Sequence, residues 1–527
     1  MHMVRILQRR LACFVLVAAV VVGAAATSAL PAEAVDRRLG ATVPKPSVAG
    51  LPWTQEQRDA LAADLDAQLA AAATLKSAHV GILVVDARDG TPLFTHNADD
   101  ALMPASTFKL LTGSAALDRL GPDFRFHTSA SADGSIVQGV LRGRLVIRGG
   151  GDPLLNADDL EDLARAIARA GITRIDGPID IDTTHFVDPP YMPGWSWDDF
   201  PFYYAPKISA FSFEDNVVHL TIAPARSAGA RATIAAAPYG RVGEPPMGCA
   251  TTSDVIVIPR AITGVAGSPN TLDVERDPGG CIIVTGSIAF DAMPDTIDAA
   301  VPSPEAYAWH VLAARLHAHA IGFPAPPLHP GFPQSFVAAP ASPGAQTIWS
   351  HDSEPLSDLL ADCWFPSDNL LAELLLKATG AASGEPGSAA SGIAFETLWL
   401  AGLGVDVAPL SIDDGSGLSS YDRMTPRALV AILQHDWNGP QRDVVLDDLP
   451  LAGVRGSLKS SFVGTLAEQA VFAKTGSVAH VRTLAGYAAT QTHGAVIFSF
   501  QVGDWNGTPA DLGAVRARFL SRIIGDH

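Results

Sequence analysis

Three short motifs in the chain combine a hydroxyl group with an amine or an amide. Residues 106–109 (STFK) have the form S-x-x-K, residues 367–369 read S-D-N, and residues 474–476 read K-T-G. A serine hydroxyl is a weak nucleophile until a base takes its proton, and a lysine can be that base when burial or a neighbouring cation lowers its pKa. In this order along one chain, the motifs indicate nucleophilic catalysis by a serine.

The S-x-x-K motif places Ser106 and Lys109 on one face of a predicted helix, because residues three apart are neighbours on a helix surface. Pro104 indicates the start of that helix, where backbone N–H groups favour developing negative charge. The apolar residues Leu110 and Leu111 follow, which is not typical of a solvated face. Alone, S-x-x-K is also compatible with a surface lysine beside a helix cap.

The S-D-N motif stands directly before a strongly apolar segment, residues 370–376, that predicts a buried helix. The hydroxyl of Ser367 can relay protons there, and Asn369 can hold a substrate amide. Asp368 is predicted to cap the helix. By itself S-D-N is a weak signal, and an ordinary helix start explains it equally well.

The K-T-G motif lies at the end of a predicted strand, residues 471–475. Lys474 offers a positive charge for a carboxylate and Thr475 a hydrogen bond. Gly476 lets a substrate backbone approach closely, because it has no side chain. An ordinary strand end is the alternative for K-T-G alone.

The elements around these motifs predict an α/β (α+β) fold. A capping box, Thr54 with Gln57, begins a first helix, and strands follow at residues 80–86 and 92–96. The carboxyl-terminal part predicts further strands and a last helix. The simplest assembly is an antiparallel sheet covered by the first and last helices, with a helical lobe between them.

The domain organisation follows from changes in sequence pattern. Between residues 124 and 345, short β-like segments alternate with Gly, Pro, Asn and Asp, which predicts a large β-rich insertion. We expect a signal peptide or anchor at 1–34, a linker at 35–50, a catalytic domain at 51–123 and 346–527, and an inserted region at 124–345 with two subdomains.

The amino terminus has the pattern of an export signal. Arginines at positions 5, 9 and 10 precede an apolar segment to about residue 30, and Ala32-Glu33-Ala34 offers a small-x-small cleavage site. An uncleaved anchor is the alternative, since the apolar segment approaches the ~20 residues that span a bilayer. Either way we expect the protein in the cell envelope, in the periplasm or on the extracellular face of the cytoplasmic membrane.

Composition narrows the classes of partner. The formal charge is −19 and the pI is near 5.1, which argues against nucleic-acid binding, because phosphate recognition needs clustered Lys and Arg. Cys249 and Cys281 are predicted to form a disulfide in an oxidising compartment. Cys363 is predicted to be a small buried residue and not a nucleophile. No metal ion or cofactor is expected.

The triple S-x-x-K, S-D-N and K-T-G is shared by penicillin-binding proteins and serine β-lactamases. The long gap between Ser106 and Ser367 resembles the low-molecular-mass class C penicillin-binding proteins, the D-Ala-D-Ala carboxypeptidase/endopeptidase family. The segments 149–153 (GGGDP), 367–373 (SDNLLAE) and 414–419 (DGSGLS) are similar to that family. Ser477 departs from it, since Thr is more usual after K-T-G.

This resemblance implies a penicillin-binding, β-lactamase-like transpeptidase fold and a role for each motif. Ser106 would form the acyl-enzyme and Lys109 would accept its proton. Ser367 would relay that proton to the leaving group, and Lys474 would bind the substrate carboxylate. Backbone N–H groups of Ser106 and Ser477 would form the oxyanion hole. The expected partners are peptidoglycan stem peptides and, as covalent inhibitors, β-lactams.

Two other functions remain open from the sequence. A serine β-lactamase or esterase on the same core would need rapid deacylation, and no dedicated deacylating Glu is identified. A non-catalytic cell-wall-binding or sensor protein would be expected to lack the nucleophile, the base or the relay, and all three residues are present. The balance between carboxypeptidase and endopeptidase activity is not encoded in any residue that we identify.

Overall fold

The structure of the protein is a computed structural model that describes residues 45–47, 49–187, 189–244, 255–324 and 340–525. The predicted signal peptide or anchor, most of the predicted linker, and Cys249 lie outside these residues. The chain divides into two compact units. Apart from the residues just excluded, the first unit contains the chain up to Asp123, residues 355–375 and residues from 393 onward, and the second contains residues 124–354 and 376–392.

The helices and strands of the described residues are as follows. The helices are α1 (Gln55–Ala71), α2 (Lys109–Leu120), α3 (Ala157–Arg169), α4 (Pro304–Ala318), α5 (Leu356–Trp364), α6 (Asn369–Ala381), α7 (Ala389–Gly402), α8 (Pro426–Asn438), α9 (Arg442–Asp448) and α10 (Pro509–Ile524). The strands are β1 (His79–Asp86), β2 (Pro92–His96), β3 (His127–Val137), β4 (Val140–Arg148), β5 (Arg174–Ile175), β6 (Ile179–Asp182), β7 (Val217–Ala223), β8 (Thr233–Ala237), β9 (Arg241–Val242), β10 (Ile256–Pro259), β11 (Ile262–Gly264), β12 (Asp273–Arg276), β13 (Ile282–Thr285), β14 (Ser287–Ala289), β15 (Asp295–Ala300), β16 (Gln346–Asp352), β17 (Val471–Val478), β18 (Val481–Ala489) and β19 (Ala495–Gly503).

The first unit is built on a five-stranded antiparallel sheet of order β17-β18-β19-β1-β2. The capping box predicted at Thr54 and Gln57 begins α1, as both reciprocal hydrogen bonds are present. Strands β1 and β2 are joined through Asp89 and Gly90, whose φ of 74° is the left-handed conformation that glycine adopts at low cost. Sequence-local signals therefore determine how this sheet begins.

Helices cover both faces of this sheet. On one face, Leu61 and Leu65 of α1 and Phe519 of α10 join one buried cluster with sheet residues such as Val84 and Phe498. On the other, α8 packs against β1 and β19, and α2 packs against α8 and α5. The sheet is thus covered by the first and last helices, as the sequence predicts, and α2 reaches it through α8.

The second unit is β-rich, with α3 and α4 packed together. Its largest sheet has the order β16-β3-β4-β5, with β6 beside β4, and the smaller sheets are β12-β13-β10-β9, β15-β7-β8 and β11-β14. One hydrophobic cluster links these sheets to both helices, through residues such as Leu145, Ile167, Leu220, Val284 and Leu312. We therefore describe this unit as one body and not as two subdomains.

The division differs from the predicted one in two places, because residues 346–354 and 376–392, both predicted to lie in the catalytic domain, belong to the second unit. Strand β16 (346–352) was placed in the catalytic domain, but it pairs antiparallel with β3, from Gln346 beside Ala132 to Asp352 beside His127. This pairing moves the border from 345/346 to 354/355. The first border, between Asp123 and Phe124, lies where the sequence pattern changes.

Among the described residues, the structure contains no helix that is both long enough and apolar enough to cross a membrane.

Two helical glycines allow a test of the packing around α2. A Cβ added at Gly113 would lie 2.5 Å from Cζ2 of Trp364, whereas one added at Gly513 in α10 meets nothing within 4 Å. We expect Gly113→Ala to lower the free energy of unfolding by about 1–3 kcal/mol through overpacking. Gly513→Ala is expected to raise it by up to about 1 kcal/mol, through helix propensity. Chemical denaturation of both variants measures the difference, and equal effects would contradict the packing described here.

Candidate active site

Ser106 lies in a 3₁₀ turn, Ala105–Phe108, that continues directly into α2, so Lys109 is the first residue of the helix. The turn packs against strands β17 and β18. Ala105 has a φ of 46°, a left-handed conformation that a non-glycine residue keeps only where its surroundings hold it. The hydroxyl of Thr107 donates to the carbonyl of Pro104 at 2.7 Å and fixes the turn from inside.

The amine of Lys109 has no exposed surface and is surrounded by hydrogen-bond partners. Nζ lies 3.2 Å from Oγ of Ser106. It also donates to Oδ1 of Asn369 at 2.5 Å and to the carbonyl of Ser416 at 2.7 Å. Burial lowers the pKa of Lys109, because the charged form is the one that loses hydration. A lysine held this way is suited to take a proton from the serine hydroxyl.

Ser367 and Lys474 form a second hydroxyl–amine pair in the same unit. Nζ of Lys474 donates to Oγ of Ser367 at 2.8 Å and to the carbonyl of Thr475 at 2.9 Å. Burial, and next the charge of Lys109, lower the pKa of Lys474 well below its usual value. Ser367 has a φ of 67°, a second left-handed non-glycine residue in the site. Asp368 accepts from the backbone N–H of Leu371 at 2.8 Å and caps α6 as expected.

Strand β17 lies close to the serine turn at the K-T-G motif. A Cβ added at Gly476 would lie 3.0 Å from the backbone nitrogen of Ser106 and 2.1 Å from Oγ1 of Thr483. Thr483 donates to the carbonyl of Pro104 at 2.6 Å and so ties β18 to the turn. Only glycine permits this close approach, while the next residue, Ser477, is exposed.

Three groups that the structure places in the site have no role predicted from the sequence. Residues 413–419, here called the Asp414 loop, supply the Ser416 carbonyl that accepts from Lys109. Glu373 contacts the backbone N–H of Gly415 with both carboxyl oxygens, at 3.1 and 3.0 Å. Ser457 lies 2.7 Å from Oγ1 of Thr475. The DGSGLS segment indicates a loop, since Asp and Gly favour tight turns. Its contact with Lys109 is not predictable from the sequence, because the two segments are far apart along the chain.

The residues predicted for catalysis and substrate binding lie in the first unit, and hydrogen bonds join six of them into two groups. One joins Ser106, Lys109 and Asn369, and the other joins Ser367, Lys474 and Thr475.

The cysteines behave as follows. Cys281 is disulfide-bonded, and since Cys249 lies outside the described residues, their pairing stays a prediction. Cys363 is a buried free thiol, as expected, and burial raises its pKa to about 12. It is therefore not a thiolate at neutral pH and not a nucleophile.

Comparison with known families gives the same assignment as the motifs. The model of the D-Ala-D-Ala carboxypeptidase 3 (S13) family matches residues 61–517. The chain belongs to this family. The class of penicillin-binding protein predicted from the sequence is thereby confirmed at the level of the family.

Relatives of this S13 family member span most of its length. A D-alanyl-D-alanine carboxypeptidase of Actinomadura sp. (strain R39) is 32% identical over 464 residues, covering 85% of this chain and 82% of the relative. The D-alanyl-D-alanine carboxypeptidase DacB of Haemophilus influenzae is 26% identical, over 78% and 82% of the two chains.

A crystal structure of penicillin-binding protein 4 (dacB) from Haemophilus influenzae superposes on the S13 family member with a TM-score of 0.74. Their sequence identity is 22%, and the match covers 88% of this chain and 99% of the other. A second structure of that protein, complexed with a novel β-lactam, gives a TM-score of 0.68. The predicted penicillin-binding fold is confirmed.

Proposed function

We propose that the protein is an exported serine-type D-Ala-D-Ala carboxypeptidase that acts on peptidoglycan stem peptides through an acyl-enzyme on Ser106. The observation that carries this proposal is the buried amine of Lys109, 3.2 Å from Oγ of Ser106. Membership of the S13 family supports the substrate class. The relative of known structure in complex with a β-lactam supports β-lactams as inhibitors.

In the proposed acylation, Lys109 takes the proton of Ser106 and Oγ attacks the carbonyl carbon of the penultimate D-Ala. The C–N bond to the terminal D-Ala breaks, and its nitrogen receives a proton through Ser367, whose Oγ lies 2.8 Å from Nζ of Lys474. Lys474 and Thr475 bind the terminal carboxylate, and Asn369 orients the substrate amide. Water then cleaves the ester, which returns the hydroxyl to Ser106 and releases the shortened peptide.

The oxyanion of the tetrahedral intermediate is proposed to bind the backbone N–H groups of Ser106 and Ser477. The approach of Gly476 to the nitrogen of Ser106 supports this position, because β17 runs past the nucleophile there. Each such donor is worth about 3–4 kcal/mol in other serine hydrolases. The side chain of Ser477 is exposed, so its replacement of the more usual threonine leaves the backbone donor in place.

Ser106→Ala provides the first test. We expect intact-mass spectrometry to show one stable β-lactam adduct on the wild-type protein and none on this variant, because the ester oxygen is missing. D-Ala release from a wall pentapeptide is expected to be lost in parallel. Ser135→Ala, a serine exposed on β3, is the control and should behave as wild type. A wild-type adduct that is rapidly hydrolysed would favour a β-lactamase, and no adduct on the wild type would overturn the proposal.

Lys474→Ala tests the carboxylate contact. A charge-assisted hydrogen bond is worth about 1.5–3 kcal/mol, so kcat/KM for a peptide with a free terminal carboxylate should fall by about 10- to 150-fold. The matching methyl ester should lose much less. Lys459→Ala, an exposed lysine in the same unit, is the control. Equal losses on both substrates would refute the proposed role of Lys474.

Gly476→Ala tests the close approach of β17 to the nucleophile. The added Cβ must displace Thr483 or the Ser106 turn, and a displacement of about 1 Å can cost about 100-fold in rate. We expect the rate of β-lactam adduct formation to fall by at least about tenfold, which is half of that 100-fold loss on a logarithmic scale. Gly503→Ala in β19, where the new Cβ would make an ordinary 3.4 Å contact, should keep the wild-type rate. Similar rates for both variants would contradict this account.

Export is proposed from the charged and apolar pattern of residues 1–34. If the signal is cleaved, the amino-terminal peptide of the protein recovered from cells begins near residue 35. Recovery of the intact amino terminus in the membrane fraction would instead indicate an anchor. An intact amino terminus in the cytoplasm would refute export.

A further inference from the structure

The Asp414 loop is organised around one buried carboxylate. Asp414 has no exposed surface. Its Oδ1 accepts from the backbone N–H groups of Ser416 at 3.0 Å and Gly417 at 2.6 Å. Its Oδ2 accepts from the backbone N–H of Ser419 at 2.7 Å and from the hydroxyl of Ser416 at 3.1 Å. At least four donors therefore converge on this carboxyl group, and each of its oxygens accepts from at least two of them.

The loop held by this carboxylate contacts Lys109 and lies against Ala105, the residue before the nucleophile. The carbonyl of Ser416 accepts from Nζ of Lys109 at 2.7 Å. Gly417 has a φ of 76°, and a Cβ there would lie 2.0 Å from the carbonyl oxygen of Ala105, the residue before the nucleophile. Gly417 thus permits a loop conformation in which Asp414 holds Ser416, and Ser416 in turn accepts from the amine of Lys109.

Glu373, on the inward side of α6, holds the same loop from another direction. Both of its carboxyl oxygens contact the backbone N–H of Gly415, and its side chain is fully buried. Thr112 of α2 donates to the carbonyl of Gly415 at 2.7 Å, so both the backbone N–H and the carbonyl of Gly415 are hydrogen-bonded. Since α2 also carries Lys109, the helix, the loop and Glu373 form one connected network.

We propose that Asp414 and Glu373 are positioning residues for Lys109. Through the Asp414 loop they hold in place the Ser416 carbonyl that accepts from its amine, and they supply negative charge near that amine. This inference rests on the proposed function, because it assigns to Lys109 the role of base for Ser106. Neither carboxylate touches the nucleophile, so both act through Lys109.

The charged groups that face Lys109 come from several elements. Asp414, Glu373 and Asp368 favour its charged form, against the larger effect of burial. Lys474 on β17 opposes it by repulsion. The thiol of Cys363 on α5 has a pKa raised to about 12 by burial and is neutral at physiological pH.

Two further carboxyl groups near the loop have raised pKa values. Burial raises the pKa of Glu396 well above its usual value, and burial together with the charge of Asp414 does the same for Asp422. Burial, and next the charge of Asp414, raise the pKa of Glu373 to about 8. Glu373 therefore adds its negative charge to the effects of Asp414 and Asp368 on Lys109 as the pH rises through about 8.

The sign of the pH effect follows from these charges. Acylation needs neutral Lys109, so its rate rises with pH through the pKa of Lys109, which defines the acid limb. Negative charge beside the amine favours its protonated form and moves this limb to higher pH. Removing Asp414 is therefore expected to move the limb to lower pH, and removing Glu373 is expected to do so only where the limb lies above about pH 8, at which Glu373 ionises.

The test follows adduct formation on the wild type, Asp414→Asn and Glu373→Gln between about pH 5 and 10 with one β-lactam. Asp414→Asn places an amide N–H₂ among N–H donors and disrupts the loop, so we expect at least a tenfold lower maximal rate together with a limb shifted by about one unit. Glu373→Gln keeps an oxygen for Gly415, so we expect a maximal rate within about threefold and a shift in the same direction only for a limb that lies above about pH 8.

Asp436→Asn is the matched control. Asp436 is a buried carboxyl on α8 that accepts from the hydroxyl of Ser114 on α2, at 2.7 Å, and so contacts the same helix without contacting the amine of Lys109. It is expected to change stability and to leave the limb in place. A similar shift in this variant would show that any loss of buried charge suffices, and would overturn the inference.

The remaining outcomes separate this inference from the proposed function. If the wild type forms the adduct and Glu373→Gln leaves a limb above about pH 8 unchanged, or moves a limb below that pH, the inference is wrong and the proposed function stands. The same conclusion follows if Asp414→Asn lowers the rate without moving the limb, since that is a purely structural effect. If Asp414→Asn does not fold, Glu373→Gln decides alone. Failure of the wild type to form an adduct would overturn the proposed function itself.

Discussion

The burial of the Lys109 amine is the constraint on which the rest of the site depends. An ammonium group without water is costly unless partners replace its hydration, and it then tends to lose its proton. Here the amine meets the hydroxyl of Ser106, the amide oxygen of Asn369 and the carbonyl of Ser416. These partners come from the turn before α2, from α6 and from the Asp414 loop. Three separate segments must therefore fold correctly before the amine is accommodated.

Two residues of the site have a strained backbone conformation. Ala105 and Ser367 both adopt left-handed conformations that non-glycine residues rarely adopt, and each lies beside or within a site motif. Such conformations persist only where packing determines them. Gly417 presses on the carbonyl of Ala105, and Gly476 approaches the nitrogen of Ser106. The strain is thus balanced by contacts that any side chain at these two glycines would break.

The sequence predicts much of this arrangement because many of its determinants are local. Thr54 and Gln57 define the start of α1, runs of apolar residues locate β1 and the last three strands, and the turn at Asp89 and Gly90 locates β2. The spacing of Ser106 and Lys109 also predicts their contact, which measures 3.2 Å. Each of these features depends on residues only a few positions apart.

Contacts between distant segments were not predictable in the same way. The Ser416 carbonyl lies 307 positions from Lys109, and nothing in the pattern of either segment encodes that pairing. Strand β16 was assigned to the wrong unit for a similar reason, because its partner β3 begins at His127 and pairing carries no local signature. Glu373 reads locally as one more residue of a helix. Its burial becomes meaningful only when the Asp414 loop folds against it.

The two buried lysines make the site respond to charge as one system. The charge of Lys109 lowers the pKa of Lys474, and electrostatic coupling is reciprocal, so a charged Lys474 disfavours the charge on Lys109. An anion held by Lys474 stabilises the ammonium form there and adds no hydrogen bond to Lys109. The pKa of Lys109 then depends on two opposing effects: the charged Lys474 repels the charge on Lys109, and the negative charge of the anion cancels part of that repulsion. Screening of both effects is weak because the lysines are buried. Asp414 and Glu373 raise the pKa of Lys109, against the larger effect of burial, so they influence its protonation before any anion binds.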